Sequence, residues 1–312
     1  MPKFLSLLLL LAAGLQAPAS CAEARALDAL LSAGPLPAVP GVPRPSYRGG
    51  TVTGDVSIFA LPYFLGGRRV WVYLPPGYAA DPARRYPVLY MHDGQNLFDA
   101  AASYAGEWQV DESCENLILS GQVQPLIVVG IENGGAARMD EYTPWPDKEY
   151  GGGKADAYLA ALKNILKPEI DRRYRTLPGA ANTFMAGSSL GGLLSAYAGY
   201  TDPDTWGGII ALSPSYWWDG QQFAAWAAPR PKPALRFFYQ DMGTREGGAD
   251  PGVNDYIGTL RKVETLALAQ GFKDGKDFYS FEAPGQNHSE ASWASRFPFI
   301  LKLLLSAAGK NK

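Results

Sequence analysis

Ser189, set between glycines in Gly187-Ser188-Ser189-Leu190-Gly191, and the histidines His92 and His288 carry most of the chemical promise of this 312-residue chain. A serine hydroxyl becomes a nucleophile only when a base takes its proton. A glycine two residues to either side is what a strained strand-to-helix turn demands. The apolar run 183–186 (TFMA) precedes the motif and LGGLLSAY follows it, so strand, tight turn and helix are expected in that order. In that setting the Ser189 hydroxyl stands clear of the sheet. The helix start favours negative charge, and the Leu190 N–H points at a developing oxyanion. In the chain order of such elbows an acid and then a histidine follow the serine, which selects His288 as base and excludes His92. The acid is expected after another strand. Glu246, in 240–246 (QDMGTRE), is the reading adopted, with Asp241 next and Asp250 and Asp255 slightly later. The chemistry implied is acyl transfer through a covalent acyl-serine.

Groups so far apart in the chain need a scaffold. Residues 69–74 (RVWVYL) alternate and end at a Pro-Pro-Gly turn, as a strand should. Short continuous apolar runs at 87–91, 126–131, 183–186, 208–212 and 235–239 read as strands buried on both faces. Tyr158, Leu159, Leu162, Ile165, Leu166 and Ile170 recur at helical spacing, with a kink expected at Pro168, and Trp293, Phe297, Ile300, Leu301 and Leu304 do the same. Buried strands separated by helices imply an α/β fold, a mostly parallel sheet with helices on both faces. Its chemistry belongs at the C-terminal strand ends.

Composition narrows the function classes. Net charge is −2, with no basic stripe, which argues against nucleic acid as a partner. The opening stretch MPKFLSLLLLLAAGLQAPASCA has a basic start, an apolar segment and small residues at its end, so residues 1–22 read as an export signal too short for a transmembrane span. Cys21 after small residues adds lipid anchoring as an alternative, although Pro18 stands where such sites carry an aliphatic residue. Cleavage would leave Cys114 as the one thiol, so no internal disulfide is expected. Residues 23–46 read as an Ala/Pro-rich linker, and 47–308 as one catalytic domain. Two histidines and one thiol cannot build the usual zinc constellations, and Gly151-Gly152-Gly153-Lys154 lacks P-loop spacing and reads as a flexible loop before a helix, so neither metal nor cofactor is expected.

A second oxyanion donor should follow the strand at 87–91, where YMHDGQNLFD stands. Gly94 is read as allowing close approach of backbone to the ester oxygen, with the Gln95 N–H as donor and His92 as a packed residue orienting the loop. At this point the chain resembles the esterase family that includes enterochelin (siderophore) esterases, feruloyl and acetyl-xylan esterases, S-formylglutathione hydrolase and the mycolyltransferases. The resemblance rests on YMHDGQNLFD, IVVGIENGGAARMDEYTPW, FMAGSSLGGLLSAY, SPSYWW, DMGTRE and GQNHSEASW, together spanning about residues 70–305. It implies an α/β-hydrolase fold, a triad of Ser189, His288 and Glu246, and backbone donors at Gln95 and Leu190. It also implies a pocket loop bearing Arg138, Glu141, Tyr142 and Trp145, and with Trp217 and Trp218 an aromatic or carbohydrate-facing wall. The expected substrate is a small-molecule or carbohydrate ester. Transfer of the acyl group to a sugar or lipid hydroxyl is the alternative, and a non-catalytic binding protein a more distant one.

Overall fold

Strands that are apolar on both faces fold only where both faces are covered, and that requirement sets the architecture. The computed structural model describes residues 47, 49–247 and 255–309, the side chains of 306–309 excepted. The expected export signal, linker and Asp250 lie outside these residues. The strands are β1 (Asp55–Ala60), β2 (Arg69–Leu74), β3 (Val88–His92), β4 (Ile127–Ile131), β5 (Pro146–Asp147), β6 (Gly151–Gly152), β7 (Thr183–Ser188), β8 (Gly208–Leu212), β9 (Phe237–Gly243) and β10 (Phe278–Ala283). Eight form one sheet in the order β1-β2-β4-β3-β7-β8-β9-β10, while β5 and β6 make a small hairpin. β2 runs antiparallel to both β1 and β4, and every other pairing in the large sheet is parallel. The α/β expectation holds, with a mostly parallel sheet between helices.

Register explains the unbroken apolar runs. Along β4, Ile127, Val129 and Ile131 enter the core on one face while Val128 enters the core on the other. β2 behaves alike, with Val70, Val72 and Leu74 on the first face and Trp71 and Tyr73 on the second. The helices are α1 (Val110–Leu119), α2 (Arg138–Tyr142), α3 (Ala155–Ala161), α4 (Lys167–Arg173), α5 (Leu190–Thr201), α6 (Trp218–Ala227), α7 (Tyr256–Gln270) and α8 (Glu290–Gly309). Leu159, Leu166, Ile170, Leu193 and Leu194 of α3–α5 and their junctions fill the first core, and Val110, Cys114, Phe297 and Leu301 of α1 and α8 the second.

Two local expectations change form. Just before Pro168 the chain makes a π-helical turn over Leu162–Leu166 that joins α3 to α4 without a break. Pro168 lies inside this continuous helical run, where its missing N–H and bulky ring are relieved by such a local widening. The glycine run read as a flexible loop forms β6 instead, with φ of 77°, 95° and 91° at Gly151, Gly152 and Gly153, values that a side chain would strain. Among the described residues no helix is long and apolar enough to cross a membrane.

Candidate active site

β7 ends at Ser188 and α5 begins at Leu190, leaving Ser189 alone at the corner with φ 56° and ψ −124°. A non-glycine residue there stores about 1–3 kcal/mol of backbone strain. The corner closes because its glycines are bare: a Cβ on Gly187 would lie 2.6 Å from the Gly191 carbonyl carbon, and one on Gly192 3.0 Å from the Leu212 carbonyl oxygen. Backbone bonds pin the turn from outside, Ser189 N donating to Leu212 O at 3.1 Å and Ser215 N to Ser189 O at 2.9 Å. The Ser189 hydroxyl sits 3.3 Å from Ser215 Oγ. His92 lies buried beneath the elbow, where a Cβ on Gly187 would meet its ring at 2.9 Å. Burial pushes its imidazole down from 6.5 to about 4.

The expected acid and base arrive on two loops that follow adjacent parallel strands. Glu246 follows β9 and His288 follows β10; Glu246 Oε2 and His288 Nδ1 are 2.7 Å apart. The other oxygen, Glu246 Oε1, accepts from Ser213 Oγ at 2.6 Å and from Gly243 N at 2.7 Å, so the carboxylate is held at both ends. The loops touch closely: Arg245 N donates to Gln286 O at 2.9 Å, and a Cβ on Gly243 would lie 2.4 Å from that same oxygen. The edge of the His288 ring packs on Trp293 at a centroid distance of 5.0 Å.

Asp241, the runner-up acid, is fully committed elsewhere. Its Oδ2 accepts from Tyr239 Oη at 2.8 Å and Arg296 Nε at 2.8 Å, and its Oδ1 from Arg296 Nη2 at 3.1 Å. Asp255 caps α7 by accepting from Gly258 N. Glu246 alone of the described candidates reaches His288.

Around the loop expected to hold the oxyanion the structure supplies a clamp that sequence reasoning did not find. Asp93 adopts a left-handed conformation (φ 55°, ψ 46°) and leads into a 3₁₀ turn, Gly94–Asn96. The Arg138 guanidinium grips it with two bonds, Nε to Oδ1 at 2.7 Å and Nη2 to Oδ2 at 2.9 Å, while Asn133 Nδ2 adds a third at 2.7 Å. Such a fork on a carboxylate fixes orientation as well as position. Gly94 has a different reason from the expected one. A Cβ there would lie 2.5 Å from the Gly130 carbonyl carbon, so the glycine lets the turn seat against β4 rather than against an ester. The Gln95 and Leu190 N–H groups each stand at the start of a helical turn, where no intrahelical acceptor exists.

Ser189, His288, Gln95, Asp93 and Arg138 share one cavity of about 900 Å³, whose aromatic wall is Trp108, Trp293 and Tyr104. The three tryptophans named from sequence do not line it. Trp145 packs edge-on against Tyr197 and Trp226, and Trp218 is buried in the core with its Nε1 donating to Trp145 O. Trp217 stands one ring further out, against Tyr256, which in turn faces His288. Their place in the segments IVVGIENGGAARMDEYTPW and SPSYWW, which carry the family resemblance, was the misleading signal. Trp108 and Trp293 could have been weighed by position, since one precedes α1 and the other follows His288.

Comparison with known proteins bears on the family and the fold. A family model described as "Putative esterase" matches residues 64–304. The uncharacterized protein YbbA of Bacillus subtilis is 28% identical over 254 residues, covering 79% of this chain and 95% of YbbA. The siderophore triacetylfusarinine C esterase of Aspergillus fumigatus is 30% identical over 139 residues, but the match spans 43% of this chain and 45% of that enzyme. Among solved structures, the BES protein of Bacillus cereus superposes with a TM-score of 0.63 at 19% identity, covering 83% of this chain and 97% of that one. With an α/β-hydrolase sheet, a serine elbow and a family match over most of its length, the chain belongs to this esterase family.

Proposed function

We propose that the protein is an exported serine esterase that cleaves a carboxylic ester through an acyl-enzyme on Ser189, with His288 and Glu246 completing the triad. The observation that carries this reading is the Glu246–His288 pair, at 2.7 Å, on the cavity that also holds the strained Ser189. With Nδ1–H held by Glu246, His288 Nε2 is the free acceptor. The Ser189 hydroxyl turns from Ser215 toward it, loses its proton and attacks the carbonyl carbon. The oxygen of the ester becomes an oxyanion facing the N–H groups of Gln95 and Leu190. Collapse expels the alcohol, which takes the proton from His288. Water, deprotonated by the same imidazole, attacks the acyl-serine, and release of the acid restores Ser189.

A cavity of this size takes a drug-sized ester, and its mixture of Trp108, Trp293, Arg69 and Arg138 suits an acyl or alcohol part carrying aromatic and polar groups. The siderophore esterase among the relatives points the same way. Residues 1–22 act as the export signal in this reading, ahead of the linker 23–46 and the domain 47–308. Ser189→Ala should lower hydrolysis of p-nitrophenyl acetate by at least about 10⁴-fold with the melting temperature little changed. Glu246→Gln should lower it by about 10⁴-fold as well, since the imidazole would then be held in the wrong tautomer. Near-normal turnover in Ser189→Ala would end the nucleophile assignment, and in Glu246→Gln the acid assignment. Addition of a sugar alcohol separates hydrolysis, which yields free acid, from acyl transfer, which yields a new ester.

A further inference from the structure

Three carboxylates, Glu107, Asp111 and Glu112, converge at the start of α1, outside the residues that line the catalytic cavity. One oxygen from each lies within 4.8 Å of the other two. Asp111 is fully buried. Its Oδ2 accepts from Thr53 N at 2.6 Å and from Thr53 Oγ1 at 3.3 Å, but its Oδ1 has no hydrogen-bond partner. Glu112 Oε2 is likewise buried without a partner. The Asp111 and Glu112 carboxyl groups lie against each other, and two acidic groups packed together with no counter-charge are strongly unfavourable when both are ionised.

Nothing basic answers them. Among the described residues no Lys, Arg or His forms a salt bridge with any of the three. The charges acting on Glu107 are those of Glu112 and Asp99, both acidic. The start of α1 offers about half an elementary positive charge, which is small against three carboxylates.

We propose that this cluster is a Ca²⁺ site with Glu107, Asp111 and Glu112 as its protein carboxylate ligands. The ligand set selects the ion: three flexible carboxylates offering only oxygen suit Ca²⁺, whereas Mg²⁺ demands near-ideal octahedral geometry, keeps several of its waters and is held by one or two carboxylates. Glu107 and Glu112 are half-buried, which leaves a side open for the waters that complete a Ca²⁺ shell. The ion would join α1 to the segment before it, which carries Tyr104 and Trp108 of the catalytic cavity. Thr51, donating to Glu107 at 2.9 Å, and Thr53, bonded to Asp111, would extend that tie to the segment leading into β1.

The test uses the full chain, stripped with a chelator and dialysed. Titration with CaCl₂ should raise the melting temperature saturably, by about 5–10 °C at one hundred times Kd. MgCl₂ should do markedly less. Tb³⁺ should show emission sensitised by the adjacent Trp108, displaced by Ca²⁺. The double variant Glu107→Gln/Glu112→Gln should lose both responses while keeping p-nitrophenyl acetate hydrolysis. A wild-type chain with no saturable shift and no sensitised Tb³⁺ emission overturns the proposal. So does an equal response to Mg²⁺, or an unchanged response in the double variant. If that variant fails to fold, the Tb³⁺ displacement in the wild type decides alone.

Discussion

At the scale of single residues, the polar groups near the elbow divide by how completely they are satisfied. Ser213 has φ 44°, unusual for a serine, and donates to Glu246 while accepting from Trp293 Nε1 at 2.8 Å and Arg296 Nη2 at 3.0 Å. Every lone pair and proton of that hydroxyl has a use, so it fixes the carboxylate rather than filling space. His92 is the opposite case. It is buried, bonded at Nδ1 to Tyr158 Oη at 3.3 Å, and has no partner at Nε2. Burial lowers its folded pKa from 6.5 to about 4, so in that window the unfolded chain takes up a proton that the folded chain refuses. Stability contributed by the neutral ring is therefore full above pH 6.5 and falls as the pH drops toward 4, by up to about 3 kcal/mol. Urea melts at pH 7 and pH 4.5 should show this loss in the wild type and a smaller one in His92→Phe. An equal loss in both would assign the acid sensitivity to other groups.

At the scale of elements, the site is a set of loops held by their neighbours. The acid and base loops approach so closely that Gly243 has no room for a methyl group against Gln286 O. Gly243→Ala should therefore push the loops apart and lower kcat by at least about tenfold, because misplacement of about 1 Å already costs about 10²-fold. Circular dichroism should show the fold retained; an unchanged kcat would mean that the loops yield freely. Sequence showed the elbow and the histidine loop well, because GSSLG and GQNHSEASW lie beside strand and helix patterns that locate them. β1 was missed because it is a short edge strand, DVSIFA, in which only the adjacent Val56 and Ser57 are buried, so no period-two alternation of apolar residues marks it. The Asp93–Arg138 clamp was missed for another reason. The partners are 45 residues apart, and no periodicity encodes which arginine folds back onto which aspartate.

At the scale of the whole molecule, two hydrophobic cores press on the sheet from opposite faces, and the proposed catalytic residues follow the ends of β7, β9 and β10 between them. Stability and chemistry are thus separable. Leu166, fully buried where the π turn meets α4, lies in the first core and outside the cavity lining. Leu166→Ala should cost about 2–5 kcal/mol in chemical denaturation while leaving kcat/KM at 25 °C within about twofold. A large catalytic loss would show the core and the site to be coupled. The fold class was legible because burial on both faces leaves a compositional mark on every central strand. The aromatic lining was not, because eight tryptophans look alike until the sheet decides which ones face the opening. One consequence follows from the segment after β8. It is bonded on one flank to the elbow, through Ser189 and Ser215, and on the other to the carboxylate, through Ser213. That short stretch works as a common keel: the attacking oxygen and the proton-handling pair stand on separate strands, yet their alignment is fixed by three consecutive residues, so a slip there would detune the reaction without unfolding anything.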